Sequence, residues 1–261
     1  MRNVPMNDAR GYRVLIAGES WIMHTIHQKG VDSFTTTTYG TGHDWLSDAL
    51  TRQGNQVTHL PNHLAASEFP TRLDQLQAYD VVILSDIGSN TLLLHPDTFE
   101  RSQAMPNRLT LIHDYVAAGG GLIMVGGYFT FQGFEAKARY GGTPIETALP
   151  VTILPGDDRV EVPEGRAPRL VGESHEIVAG LPDSWPALLG YNRVVAKEDA
   201  PTLVSVGDDP LLVAWQFGAG RALAFTSDCG PHWLPPDFLA WDGYPRLWNQ
   251  MVTWVGNAAG N

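Results

Sequence analysis

The feature that most constrains the fold is a series of four short apolar runs, each ending in a polar or glycine-rich turn. Runs of this length between turn residues are typical of buried β-strands. Segments with helical periodicity separate them: one spans residues 43–55, where Gly54 can close the helix, and another begins at Asn107, a predicted N-cap. This alternation predicts an α/β fold, with helices on both faces of a parallel sheet. The four predicted strands are residues 13–17, 56–60, 80–86 and 122–127.

The second half of the chain has a different sequence pattern. Short strand-like runs are separated by Pro, Gly and Asp turns, a pattern typical of antiparallel strands. The segment FGAGR at 217–221 predicts a hairpin turn, and residues 244–256 predict a closing helix. We therefore expect a single domain in which a β-rich extension packs on the α/β core. The expected bounds are 1–261 for the domain, 12–150 for the core and 151–261 for the extension with its closing helix.

Composition restricts the class of protein. The chain has 261 residues and a formal net charge of -11, with 17 Lys plus Arg against 28 Asp plus Glu. An acidic chain without a basic run is a poor partner for nucleic acid or anionic membranes. Its apolar runs are too short to span a membrane, and its first residues, MRNVPMNDARGY, lack the apolar segment of a signal peptide. Cys229 is the only cysteine, which excludes internal disulfides. These features predict a cytoplasmic protein with neither nucleic acid nor membrane as a partner.

Candidate site residues follow from the predicted sheet. In an open parallel sheet, ligands bind beyond the carboxyl ends of the strands, near the point where strand order reverses. An acidic residue at the end of an apolar strand is a partly desolvated carboxylate, which is suited to proton transfer. The alternative is that a strand-terminal Asp only caps the turn that follows it. The residues at the predicted strand exits are Glu19, Ser20, Asp86, Gly127, Tyr128, Asp228, His232 and Trp233.

Several motifs together resemble a known family. They are GESW, YDVVILSDIG, PNRL, GGYFTFQG, ARYGGTPIE, DDRVEVPEG, LLGYNRV, GAGR and SDCGPHW. In sum they are similar to the class I glutamine amidotransferase-like proteins, and most closely to their GATase1-like branch. A looser similarity to trehalose-utilisation (ThuA-like) proteins lies in HEIVAGL and in a histidine after the GAGR hairpin strand. The resemblance implies a flavodoxin-like sheet whose fourth strand leads into a nucleophile elbow.

The chain departs from that family at the residues that carry the chemistry. True amidotransferases of this fold have Gly-x-Cys-x-Gly at the elbow and a later His-x-Glu. Aligned on Gly126, the cysteine position holds Tyr128 and the last glycine is Thr130, while His-x-Glu does not occur in the sequence. A phenol is mostly protonated at neutral pH and is a poor acyl acceptor. The resemblance therefore predicts the fold without glutaminase activity.

Two other kinds of site remain open. Cys229 has a histidine three residues later and could act as a nucleophile, although a lone cysteine at a strand end more often packs in the core. His24 and His27 have the spacing of one helical face, and Asp86, Asp228 and His232 could hold a divalent ion. These residues lack the compactness of a known metal motif. We favour surface histidines and expect no metal and no cofactor.

Two hypotheses for function result. The first is a hydrolase-type or lyase-type enzyme acting on a small polar metabolite, such as a carbohydrate derivative. Asp228 and His232 would form the acid/base pair and Tyr128 would donate a hydrogen bond. The second is a non-catalytic ligand-binding or assembly protein on the same fold. The substrate-binding residues under the first hypothesis are Glu19, Ser20, Asp86, Gly127 and Trp233, with other aromatic side chains as walls.

Homo-oligomerisation is also expected. The chain has eight tryptophans, several of them near the predicted C-terminal helix, and exposed aromatic patches often mark interfaces.

Overall fold

The computed structural model describes residues 11–172 and 174–257, which form fourteen strands and nine α-helices. The strands are β1 (Arg13–Gly18), β2 (Ser20–Lys29), β3 (Asp32–Thr41), β4 (Gln56–Leu60), β5 (Val81–Ser85), β6 (Gly121–Val125), β7 (Val151–Ile153), β8 (Arg159–Arg166), β9 (Arg169–Leu170), β10 (Leu188–Asn192), β11 (Val194–Ala196), β12 (Thr202–Val206), β13 (Asp209–Phe217) and β14 (Gly220–Phe225). The helices are α1 (Asp44–Arg52), α2 (Asn62–Glu68), α3 (Leu73–Leu76), α4 (Ser89–Leu93), α5 (Pro96–Arg101), α6 (Arg108–Ala117), α7 (Pro144–Ala148), α8 (Pro236–Leu239) and α9 (Gly243–Gly256), with a 3-10 turn at Phe134–Ala136.

One eight-stranded sheet organises the molecule, in the order β4-β1-β5-β6-β14-β13-β12-β9. The first five strands in this order are parallel, and the remaining three are antiparallel. The predicted α/β fold with a flavodoxin-like parallel sheet is confirmed. In the β-rich part, β14 pairs directly with β6, so β14, β13, β12 and β9 extend the same sheet. Strands β8 and β10, and strands β7 and β11, form two small antiparallel sheets.

The central strands are continuous apolar runs because both of their faces are buried. Val14 and Ile16 of β1 pack in a cluster with residues of α1 and α9. Their neighbours Leu15 and Ala17 point to the opposite face and pack with residues of α2 and α6. The two-residue period of the strand thus divides one run between two helical layers.

Local sequence signals mark the helix ends as predicted. The Asn107 side chain accepts hydrogen bonds from the backbone N–H of Leu109 and Thr110 and so caps α6. Gly54 has a φ of +88°, the left-handed conformation expected after α1. The predicted hairpin turn is also present, with Gly218 at a φ of +59° between β13 and β14. None of the helices in the described ranges is long and apolar enough to cross a membrane.

The sequence analysis missed a long hairpin, β2 and β3, which pair along their full length. The interpretation of His24 and His27 as one face of a helix is therefore wrong. Three residues apart on a strand, they point to opposite faces, and each contacts a threonine hydroxyl of β3 at 3.0 Å. Four consecutive threonines, residues 35–38, favour the strand because β-branched side chains suit an extended backbone.

Arg108 is a buried charge that ties three helices together. It begins α6 and is only 1% exposed. Its guanidinium donates hydrogen bonds to the carbonyls of Ala65 and Ala66 in α2, and of Thr91 and Leu92 in α4. Burial lowers the pKa of Arg108 to about 10, so the group stays protonated at neutral pH. These carbonyls would lose their partners if the guanidinium were removed.

We therefore expect Arg108→Met to lower the free energy of unfolding by about 3 kcal/mol, because it leaves buried acceptors unpaired. Urea denaturation measures the change. The matched control is Arg52→Met, since Arg52 forms an exposed ion pair with Asp48 and its loss should change stability by about 0.5 kcal/mol or less. Equal losses in the two variants would contradict a structural role for Arg108.

Candidate functional site

The site lies where four neighbouring parallel strands end. Strands β1, β5, β6 and β14 are consecutive in the sheet, and their carboxyl ends share one edge. Glu19 and Asp86 directly follow β1 and β5, while Tyr128 and Asp228 each come three residues after β6 and β14. Chain order reverses between β1 and β5, because β4 lies on one side of β1 and β5 on the other. Ligands of open α/β sheets bind at such a reversal.

A pocket of about 300 Å³ opens at this edge. Five of the residues expected at the site line it: Glu19, Asp86, Tyr128, Asp228 and His232. The remaining lining residues are Trp21, Phe129 and Pro231. The structure therefore brings side chains from four strand exits into one pocket, at the sheet edge where the sequence predicts that they meet.

Three expected site residues lie behind the pocket and are not among its lining residues. Ser20 is buried, and its hydroxyl accepts a backbone hydrogen bond. Gly127 has a φ of +152°, and a Cβ there would come within 3.1 Å of an Asp86 carboxylate oxygen. Trp233 is buried and stacks on the His232 ring with the centroids 5.2 Å apart. These residues shape the pocket from outside it.

Asp228 and His232 form a pair within one turn. His232 Nδ1 lies 3.3 Å from one Asp228 carboxylate oxygen, and the other oxygen accepts hydrogen bonds from the backbone N–H of Cys229 and Gly230. Asp228 thus caps its turn and also orients the imidazole. Burial lowers the pKa of His232, but the hydrogen bond to Asp228 and the negative charge of that carboxylate outweigh it, so the pKa is raised.

Glu19 and Asp86 hold strained backbone conformations. Their φ angles are +46° and +45°, in the left-handed region that side chains other than glycine seldom adopt. Such conformations cost on the order of 1–3 kcal/mol and are concentrated at active and binding sites. Here the strain turns both carboxyl groups into the pocket at the strand ends.

The acidic residues of the pocket share a low-dielectric space. Burial, together with the charges of Asp228 and Asp86, raises the pKa of Glu19 well above its ordinary value. Burial and the charge of Asp228 raise the pKa of Asp86 to about 6, although the backbone N–H of Phe129 hydrogen-bonds to its carboxylate at 2.8 Å. The site therefore holds two carboxyl groups with raised pKa values, of which that of Asp86 titrates close to neutrality.

Tyr128 occupies the elbow position, but its hydroxyl does not face His232. The two rings meet edge to face with centroids 4.6 Å apart, while the hydroxyl donates to Glu161 Oε1 at 3.2 Å. Glu161 also accepts a hydrogen bond from Trp233 Nε1 at 3.0 Å. The guanidinium of Arg159 lies 4.6 Å from the Tyr128 ring centroid, within cation–π range. The Tyr128 side chain is thus held in place by Glu161 and Arg159, which do not line the pocket.

Sequence reasoning did not single out Glu161 or Asn192. Asn192 is fully buried, accepts a hydrogen bond from the backbone N–H of Gly127 at 2.9 Å and donates to Asp158 at 2.8 Å. It therefore supports the glycine turn that leads to Tyr128. Both residues lie in quoted family segments, DDRVEVPEG and LLGYNRV, yet neither segment carries a local signal of its role.

Cys229 has the environment of a core residue. Its side chain is fully buried, and its sulfur lies 3.6 Å from the Ser85 hydroxyl. Burial, reinforced by the charges of Glu19 and Asp228, raises the pKa of the thiol well above its ordinary value. Only a thiolate is an effective nucleophile. The geometry therefore does not support Cys229 as a nucleophile.

Within the described ranges, Glu19, Asp228 and Cys229 bring potential metal-ligand atoms within 4.8 Å of one another. A metal ion there would have to displace protons from both Glu19 and Cys229, since only the deprotonated forms are good ligands. The burial that raises both pKa values opposes that displacement. The set considered from the sequence, Asp86, Asp228 and His232, does not form such a compact group.

The sheet, its reversal point and the glycine turn after β6 define a class I glutamine amidotransferase-like fold. A family model described as "Putative glutamine amidotransferase" (GATase1_like) matches residues 13–257. The chain therefore belongs to the glutamine amidotransferase-like family, and the resemblance noted in the sequence is confirmed. No protein of curated function matches the chain.

Solved structures agree with this assignment. The cytoplasmic protein STM3548 from Salmonella typhimurium is 44% identical, with a TM-score of 0.90 over 93% of this chain and 98% of its own. The cytoplasmic protein STM1381 from Salmonella typhimurium LT2 is 43% identical, with a TM-score of 0.90 over 93% and 99%. A ThuA-like protein from Bacteroides uniformis shares the fold at 13% identity, with a TM-score of 0.57 over 97% and 95%.

The raised pKa of Asp86 predicts how stability depends on pH. Between about pH 4 and about pH 6 the folded state binds more protons at this carboxyl group than the unfolded state does. The free energy of unfolding should therefore fall as pH rises through this window. The Asp86→Asn variant lacks this titrating group. We therefore expect its free energy of unfolding to increase by on the order of 1–3 kcal/mol, relative to that of the wild type, between pH 4 and pH 7.

Urea denaturation at several pH values measures this difference. The control is Asp183→Asn, because Asp183 is exposed. A wild-type stability that rises from pH 4 to pH 7 as steeply as that of Asp86→Asn would contradict the prediction.

The environments of Tyr128 and Cys229 predict that the purified protein releases no ammonia from glutamine. The elbow position offers a phenol, and the only thiol is buried and protonated. An ammonia assay on the wild type and on Cys229→Ser should give the same background rate. Release that Cys229→Ser abolishes would establish the thiol as a nucleophile and overturn this view. Release that persists in the variant would place glutaminase chemistry elsewhere in the protein.

Proposed function

We propose that this member of the glutamine amidotransferase-like family is a hydrolase-type or lyase-type enzyme that acts on a small polar metabolite by acid/base catalysis. The observation that carries the proposal is the Asp228–His232 pair at 3.3 Å, which shares one pocket with Asp86. Acid/base catalysis needs two groups that exchange protons near the working pH and face the same substrate. We further propose a cytoplasmic location, supported by the composition and by relatives described as cytoplasmic proteins.

The proposed roles follow from the environments of the three residues. His232 is half-exposed, with 40% of its side chain accessible, so it can reach a substrate while Asp228 holds its other face. With its raised pKa it donates a proton near neutrality. Asp86, with a pKa of about 6, is available as the proton acceptor. Glu19, whose pKa is raised, lines the same pocket as a further hydrogen-bonding group.

The charge and shape of the pocket indicate the substrate class. Asp86 and Asp228 line it, and neither lysine nor arginine is among the lining residues, so the pocket disfavours phosphate and carboxylate groups. Trp21, Tyr128 and Phe129 supply flat apolar walls. A volume of about 300 Å³ is at the small end of ligand pockets. Together these features favour a neutral or cationic, hydroxyl-bearing metabolite about the size of a monosaccharide derivative.

A thermal-shift screen tests the substrate class, because a ligand of the folded state raises the unfolding temperature. We expect neutral sugars, polyols or amino sugars to shift the protein and their phosphate esters to leave it unchanged. Ligands that bind can then be assayed for turnover. His232→Gln should bind the ligand but lose turnover, whereas the surface control His113→Gln should retain both. Preferential binding of phosphate esters would refute the proposed class.

A non-catalytic binding protein is the second candidate, and the missing elbow cysteine favours it. Under that alternative the same ligands shift the unfolding temperature, but the wild type leaves them chemically unchanged.

The proposed pair can be tested without a substrate. In Asp228→Asn the charge that raises the pKa of His232 is removed, while burial, which lowers it, remains. We therefore expect the pKa of His232 to be lower in Asp228→Asn than in the wild type. An NMR titration of the imidazole protons measures it, with His113 as the internal control. An unchanged His232 titration would show that Asp228 does not tune the imidazole.

A further inference from the structure

The hairpin formed by β2 and β3, residues 20–41, stands apart from the body of the molecule, and we call it the arm. Nearly all of its residues are exposed beyond its first and last positions. Its apolar side chains are exposed too: Ile26 at 72%, Val31 at 97% and Tyr39 at 52%. Elsewhere in the described ranges, large exposed apolar residues are scattered along the chain, whereas the arm concentrates seven of them: Trp21, Ile22, Met23, Ile26, Val31, Phe34 and Tyr39.

Both faces of the arm are apolar. Ile22 and Tyr39 are direct cross-strand partners on one face, and Ile26 lies further along the same face, beyond His24. Met23 follows Ile22 directly and therefore points to the opposite face. Phe34 lies on that opposite face too, because its cross-strand partner is His27, an odd number of residues from Ile22. In the described ranges, β2 and β3 pair only with each other, so each also has an open edge of unpaired backbone groups. A two-stranded hairpin is marginally stable by itself in water. The arm therefore has the composition and geometry of a surface that another chain covers.

We propose that a second copy of this chain covers the arm. The chain carries a formal charge of -11, so two copies repel each other over most of their surface. Within residues 20–41, Lys29 and Asp32 are the only lysine, arginine, aspartate or glutamate residues, and they are cross-strand partners. The arm is thus formally neutral and is the surface on which two copies can meet with little repulsion. A basic partner would gain nothing from this neutral surface.

The dimensions of the arm suit a symmetric dimer. Each strand has ten residues, so the arm is about 34 Å long and about 10 Å wide. Because both faces carry apolar side chains, covering the arm buries two faces of about 340 Å² each, which gives about 680 Å² per copy. Stable interfaces bury about 800 Å² per partner. The patch that each copy offers to the partner's arm adds the remaining area.

The arm also forms one wall of the candidate pocket. Trp21, the second residue of β2, lines the pocket. Its ring packs on the backbone of β3, because a Cβ at Gly40 would lie 2.7 Å from its indole nitrogen. A second glycine, Gly42, leaves room for the other side of the ring. Covering the arm would therefore also fix this aromatic wall.

Sedimentation velocity of the full chain tests the proposal. We expect the wild type to sediment at twice its 28.5 kDa chain mass at micromolar concentration. Ile26→Glu and Phe34→Glu place a charge on each face of the arm, and each should weaken dimerisation by about 30-fold or more. The matched control is Phe99→Glu: at 73% exposed it resembles Ile26 but lies in α5, so the dimer should persist.

A wild type that is monomeric at 100-fold higher concentration, or an arm variant that keeps the wild-type mass, would overturn the proposal. Hydrogen exchange of the wild type supplies a second measurement that needs no variant. Arm amides should be protected at high concentration and lose protection on dilution. Protection that is independent of concentration would mean that the arm packs on its own chain. Rapid exchange at every concentration would show that no second copy covers the arm. Either result would overturn the proposal.

Discussion

The structure depends on how three acidic side chains are accommodated at one buried sheet edge. Each is stabilised in its own way. Glu19, whose pKa is raised by burial, accepts a hydrogen bond from the Ser85 hydroxyl. Asp86 accepts a hydrogen bond from the backbone of the turn after β6, and Asp228 binds both the N–H groups of its own turn and His232. Burial among these charges raises the pKa values of Glu19 and Asp86, and perturbed carboxyl groups of this kind are suited to acid/base chemistry.

Membership of the family determines the backbone conformation of this site more than its chemistry. The glycine turn after β6 remains although the cysteine does not, and packing explains why: a Cβ at Gly126 would lie 2.0 Å from the carbonyl oxygen of Thr226. The turn is thus required by the close approach of β6 and β14, whatever residue follows it. A fold can keep such a turn and lose the reaction that the turn once served. The chemistry must therefore be inferred from the pocket residues themselves.

The sequence predicted the central strands and the strand-exit residues because both depend on local patterns. Apolar runs bounded by turns identify strands, and parallel strands bring their exits to one edge, so Asp86 and Asp228 could be placed together. The arm was missed because WIMHTIHQK mixes apolar and polar residues without a clear period. Glu161 and Asn192 were missed for another reason. They reach Tyr128 and Gly127 from β8 and β10, and contacts between such distant segments leave no local signal. The tryptophans near the closing helix were expected at an interface, but Trp248 and Trp254 are in the core.

The position of β14 between β6 and β13 has a consequence for protein synthesis. Residues 126–219 separate β6 from β14 along the chain, so a ribosome delivers Glu19 and Asp86 long before their neighbour Asp228. Until β14 inserts, β6 presents an open parallel edge, and the early carboxyl groups remain in contact with water. Their desolvation and mutual repulsion are therefore incurred only when β14 joins the sheet. Helix α9, which packs on one face of the sheet, follows Asp228 along the chain, so the reactive pocket and that hydrophobic layer are completed together.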